Sequence, residues 1–183
     1  MIVGEINYGS GAVPSHRHIN PDASIGGWVA DTAEVESTAY VGSCAVVFGY
    51  ATVKGHARIE GGARVSGNAQ VDEDAIVRAY ASVMEHACVK GQARVGGFSV
   101  IRDYGFVSDH AGVFGSAIVC DAASVYGRAR VTGDSHLFGD CRVGGRTKMT
   151  SGEFVQNDPS WEKDKRISDK DISAMLTLDV VIG

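Results

Sequence analysis

From Val29 to Val143 an aliphatic residue stands at every sixth position without a break, beginning Val29, Val35, Val41, Val47, Val53, Ile59 and passing through Ile101 and Leu137. Two residues before each of these twenty stands a small one, alanine in fifteen cases and otherwise Gly27, Ser99, Gly105, Ser135 or Cys141. A separation of two is the period of an extended strand, so both positions point to the same side. Two residues after the aliphatic comes glycine in eleven of the twenty units, from Gly49 to Gly145. Glycine at a fixed offset marks a corner whose backbone calls for positive φ. The unit therefore reads Ala-x-Val-x-Gly-x.

Six residues cannot bury their own valine. The chain must wind so that equivalent units stack and their aliphatic side chains form ladders along a common axis, which is a parallel β-helix. Valine, stiff and β-branched, suits such a ladder. An α-helical reading fails because a period of six leaves no continuous apolar stripe at 3.6 residues, and each interior glycine would cost roughly 1 kcal/mol. A four-sided pentapeptide helix needs a period of five, which is not present.

At 183 residues and 44% hydrophobic content, the chain is long enough for one real core and short for two. The pattern divides it into a cap over 1–26, repeats over 27–146, and a cap or oligomerisation tail over 147–183. Both ends of a strand stack need covering. In the tail, Ser168 is placed to cap a short helix carrying Ile172, Ala174, Met175 and Leu176, after a charged stretch opened by Asp158-Pro159-Ser160-Trp161. A net charge of −5 argues against wholesale nucleic-acid binding. The N-terminal sequence has no signal-peptide pattern and no run approaches a membrane span, so the expectation is a cytoplasmic protein without membrane contact. Cys44, Cys88, Cys120 and Cys141 lie far apart with no C-x-x-C pair, as expected of reduced thiols. His16 and His18 read as surface residues, since two histidines two apart lack a third metal ligand.

Hexapeptide repeats with inward aliphatics resemble the left-handed β-helix superfamily. The opening Gly26-Gly27-Trp28-Val29, the run Val65 to Val71 and the closing Val143-Gly144-Gly145-Arg146-Thr147 are similar to YdcK-like bacterial proteins, which carry a transferase label largely on the strength of their fold. The resemblance implies a left-handed, three-sided coil of about eighteen residues and a homo-oligomer, a trimer above all. It also implies two chemistries. Carbonic anhydration needs three clustered metal-binding histidines, whereas His56, His86, His110 and His136 are widely spaced, so that reading is rejected. Acyl transfer from CoA or acyl-CoA would use one histidine as base at a subunit interface, but no loop interrupts the coils to help hold the acyl carrier.

An eighteen-residue coil places residues eighteen apart above one another. One face then carries outward Val46, Phe48, Met84, Val100, Ile118 and Phe138, an apolar strip expected to pack against another copy of the chain or a protein partner. The corner beside it stacks Glu85, Asp103 and Asp121, with His86 and Tyr104 alongside. Two functional readings arise: the three carboxylates hold Ca²⁺, or His86 acts as a general base supported by Glu85 and Tyr104. Against both stands the simpler reading that these acids tolerate a left-handed corner and face water. Another face carries Arg58, Arg94 and Arg130 two coils apart, with Arg78 nearby, as an anion-binding row or as a solvated face paired with Glu60. The expected function is a rigid homo-oligomeric binding or scaffold protein needing no cofactor; the alternative is a CoA-dependent acyltransferase with His86 as base.

Overall fold

A computed structural model describes residues 2–9 and 11–155, and the expected helix after Ser168 lies outside them. Most six-residue units make one two-residue strand, such as Thr52–Val53 or Gln70–Val71, and a four-residue corner. No helix occurs among the described residues. The strands stack into three sheets of ten, seven and seven strands, parallel wherever coil meets coil, about seven coils in all. Val53 pairs with Val71 and Val71 with Val89, so one circuit takes eighteen residues. Each coil donates to the next in a fixed pattern: the Thr52 N–H donates to the Ala69 carbonyl and the Lys54 N–H to the Val71 carbonyl.

The ladder residues fill the axis. Every one from Val41 to Leu137 is fully buried, as are the alanines two positions before them. Val35, on the first coil, is half-buried. The corner residues take the left-handed backbone that the glycine pattern implies, and six non-glycines share it: Glu73, Ala79, Glu85, Asp103, Asp109 and Asp121, with φ between 52° and 62°.

The first face includes the N-terminal segment. Strand β1 (Val3–Asn7) pairs antiparallel with β2 (Ala12–Ile19), and β2 pairs antiparallel with β3 (Ile25–Ala30), the first strand of the solenoid. Strand β2 thus covers the edge that β3 would expose. On the third face the first strand, Tyr40–Val41, has no strand beneath it, and side chains take over. The His18 Nε2–H donates to the Ala39 carbonyl at 3.1 Å, and Asn20 Oδ1 accepts the Val41 N–H at 2.8 Å.

His18 is therefore a buried cap residue, 7% exposed, and the expectation that both histidines are simple surface residues is corrected for this one. Sequence spacing could not reveal that Ala39 needs a donor from outside the repeat. His16 is the more open of the two, with its Nδ1 2.8 Å from the Asp31 carboxylate.

Burial lowers the His18 pKa below its ordinary 6.5; the bond to Ala39 opposes the shift and the neighbouring His16 adds to it. Above pH 6.5 the imidazole is neutral in folded and unfolded chains alike. Below that value the unfolded chain binds a proton that the folded cap disfavours, so stability falls as pH falls from 6.5 towards the folded pKa. Amide protection factors in β1 and β2, taken against the intrinsic exchange rate at each pH, should fall between about pH 7 and pH 5. In His18→Gln, with no titrating group at this site, that fall should shrink; an unchanged profile would remove His18 as its source.

At the other end the ladder continues past Val143. Met149 is fully buried at the next position, and Lys148–Met149 pairs with Arg130 and Val131. Glu153–Val155 then pairs with His136–Phe138, closing a circuit one residue shorter than the others, with Gly152 at its turn. No helix in the described residues is long and apolar enough to cross a membrane.

Candidate functional site

Three outward surfaces carry the residues that sequence reasoning singled out. On the first face Val46, Phe48, Met84, Val100, Ile118 and Phe138 are all half-buried. Val100 pairs directly with Ile118, so these two form a continuous apolar step between adjacent coils. The Phe48 end differs. The Tyr8 ring, at the turn after β1, stacks on Phe48 with centroids 4.5 Å apart and planes within 3°, and Arg64 lies over the same ring at 5.3 Å. The open part of the strip is accordingly the Met84, Val100, Ile118 and Phe138 end.

The acidic corner has a backbone explanation. A left-handed corner turns its N–H away from the strand ladder, towards the preceding coil. Glu85 Oε2 accepts the Asp103 N–H at 2.7 Å, and Asp121 Oδ2 accepts the Gly139 N–H at 2.9 Å. Asp103 Oδ2 sits 3.4 Å from the Asp121 N–H and 3.2 Å from the Arg102 guanidinium. The same device recurs where Asp109 Oδ2 accepts the Gly127 N–H at 2.8 Å. Each carboxylate thus caps the backbone one coil further on, which accounts for acids stacked where like charges would otherwise repel.

The Ca²⁺ trio does not come together as a set of three. The groups drawn close are Asp103, Asp121 and Cys120, with ligand atoms within 4.8 Å of one another. Burial raises the Cys120 pKa, nearby Arg102 opposes that shift, and Asp121 and Asp103 add to it. Its Sγ lies 3.6 Å from the Leu137 carbonyl, as a thiol donor would. Cys141 is pushed up to about 11 by burial alone, and all four thiols are free.

His86 is exposed, and its ring stacks on Tyr104 with centroids 5.1 Å apart. The contact is face to face, so the phenol and imidazole share an edge without a hydrogen bond between them. Glu85, the expected support for His86, is instead turned to the Asp103 backbone.

On the third face the arginines divide. Arg58 is neutralised by Glu60 at 2.7 Å and lies over the Tyr40 ring at 4.2 Å. Arg94 and Arg130 flank Gly112 on successive coils. A groove of about 430 Å³ opens there, and Arg78, Gln92, His110 and Phe114 also line it. The sequence pattern pointed to the arginines but not to Gln92, His110 or Phe114. Their convergence follows from the eighteen-residue circuit, which brings the second corner against the third face.

No family model, curated protein or solved structure matches this chain. Its own surfaces therefore carry the functional reading.

Proposed function

We propose that this protein is a rigid binding or scaffold protein that assembles with copies of itself through the first face. The observation that carries this reading is the apolar end of that face, where Met84, Val100, Ile118 and Phe138 lie on successive paired coils. Strands locked on both sides by backbone hydrogen bonds offer a flat surface that loses little conformational entropy on docking. Such strips on isolated chains mark interfaces. Arg102 follows Met84 and His136 follows Ile118 on the next coil, so polar groups interleave with the strip and can set register. The resemblance to left-handed hexapeptide-repeat proteins, YdcK-like ones in particular, favours a trimer.

Light scattering should return a mass near three times the 19.2 kDa chain. Ile118→Asp, which desolvates a carboxylate on docking, should reduce it to that of a single chain. A wild-type protein already running as one chain would reject the interface. Acyl transfer at His86 is the competing reading; a CoA-dependent rise in melting temperature that His86→Ala abolishes would establish it in place of the scaffold.

A further inference from the structure

The groove on the third face is built around an outward position that carries no side chain. Along that face the outward position before the ladder residue carries Arg58, Ile76, Arg94, Gly112, Arg130 and Lys148 on successive coils. At Gly112 the row loses its side chain between two arginines. The reason is local: a Cβ there would lie 2.7 Å from Cε2 of Phe114, whose ring leans across the position. One at Gly96 would lie 3.2 Å from Phe114 Cδ1. Phe114 thus needs both glycines, and Arg78 in turn lies 5.9 Å over its ring.

The charges at the groove are of one sign. Arg78, Arg94 and Arg130 have no carboxylate within 4.0 Å among the described residues, whereas Arg58 on the same face has Glu60. Three guanidinium groups held together without a counterion, in a chain of net charge −5, repel one another and gain from an anion between them. Arg94 and Arg130 stand two strand spacings apart, roughly 9–10 Å at the backbone, with the side-chain-free Gly112 between. Planar forks approaching from both sides of such a gap match phosphoryl oxygens bidentately. Gln92 and His110 at the adjoining corner add further polar groups on the same rim.

The geometry points to this groove as a binding site for a phosphoryl or pyrophosphoryl group, held between Arg94 and Arg130 with Arg78 as a third cation. The site is independent of the first face, so failure of self-assembly leaves it standing and its own failure leaves the assembly standing.

Calorimetric titration of the full chain with inorganic pyrophosphate, in about 150 mM salt to suppress loose surface attraction, tests it directly. Saturable binding with a Kd below about 1 mM is expected. The double variant Arg94→Gln/Arg130→Gln should weaken it at least about tenfold, while Arg58→Gln leaves it unchanged. A parallel titration with a nucleoside diphosphate separates an organic phosphate ligand from the free anion; binding of either, with the same dependence on Arg94 and Arg130, supports the site. Absence of saturable binding of both, retention of full affinity by the double variant, or an equal loss in Arg58→Gln would overturn it. Far-UV circular dichroism of the variants, all altered at exposed side chains, guards against misfolding.

Discussion

Val71→Asp is expected to cost this protein at least about 4 kcal/mol, a large share of the roughly 5–15 kcal/mol that holds an ordinary domain folded. Val71 is completely buried, with Val53 and Val89 stacked on its two sides. A carboxylate there would meet hydrocarbon in both directions along the axis. Taking a charge out of water without a partner costs several kcal/mol, and the methyl contacts of the valine, worth about 1.5–3 kcal/mol, are lost as well. The geometry amplifies the damage. Coils contact only their neighbours, so a defect in the middle of the stack weakens both halves. Gln70→Asp, one residue away and pointing outward, adds the same charge and should stay within about 0.5 kcal/mol of the parent. Urea denaturation of the two variants, with the soluble fraction recorded, makes the comparison. Similar midpoints would mean that Val71 does not face the axis.

The second large effect is expected at Gly27→Ala, a change that the repeat itself would recommend. Alanine occupies this register in fifteen of twenty units. At Gly27, however, an added Cβ would overlap the Ala45 carbonyl oxygen and lie 2.6 Å from that of Gly42. Backbone oxygens committed to a stack cannot swing aside as a flexible side chain would. The substitution should therefore destabilise by roughly 2–4 kcal/mol, by overpacking, where the general preference for alanine over glycine would favour it. Ser99→Ala at the same register provides the scale. The buried Ser99 hydroxyl donates to the Gly96 carbonyl at 2.8 Å, and its loss should cost about 1 kcal/mol. Chemical denaturation that ranks Gly27→Ala no worse than Ser99→Ala would show that the first coil is packed differently.

The solenoid was legible because one six-residue spacing states the strand period, the buried side and the corner together. Its circuit length was not, since a period of six says nothing about how many units close a turn; resemblance supplied eighteen, and the pairing of Val53 with Val71 and Val89 establishes it. Met149 escaped the ladder because an unbranched residue after Gly145 does not look like another valine, although it fills the same place. The stacked acids were visible, together with the alternative that aspartate tolerates a left-handed corner. Their bonds to backbone N–H groups one coil away needed coordinates. Tyr8 on Phe48 is a contact across forty residues between a hairpin turn and a coil, and no local pattern announces it. The arginine row was visible as Arg58, Arg94 and Arg130, but its division into a neutralised member and an uncompensated pair depends on Glu60 reaching Arg58 and on Phe114 leaning across Gly112.

Interstrand backbone NOEs in an isotopically labelled sample test the eighteen-residue circuit most directly. The expected result is an unbroken series joining Thr52 to Gln70, Gln70 to Cys88, and Cys88 to Phe106, with the parallel series Arg58, Ile76, Arg94, Gly112 and Arg130 on the third face. A series at any other separation, or antiparallel contacts within the coils, would contradict the stacking on which the apolar strip, the capped acidic corner and the arginine groove all depend.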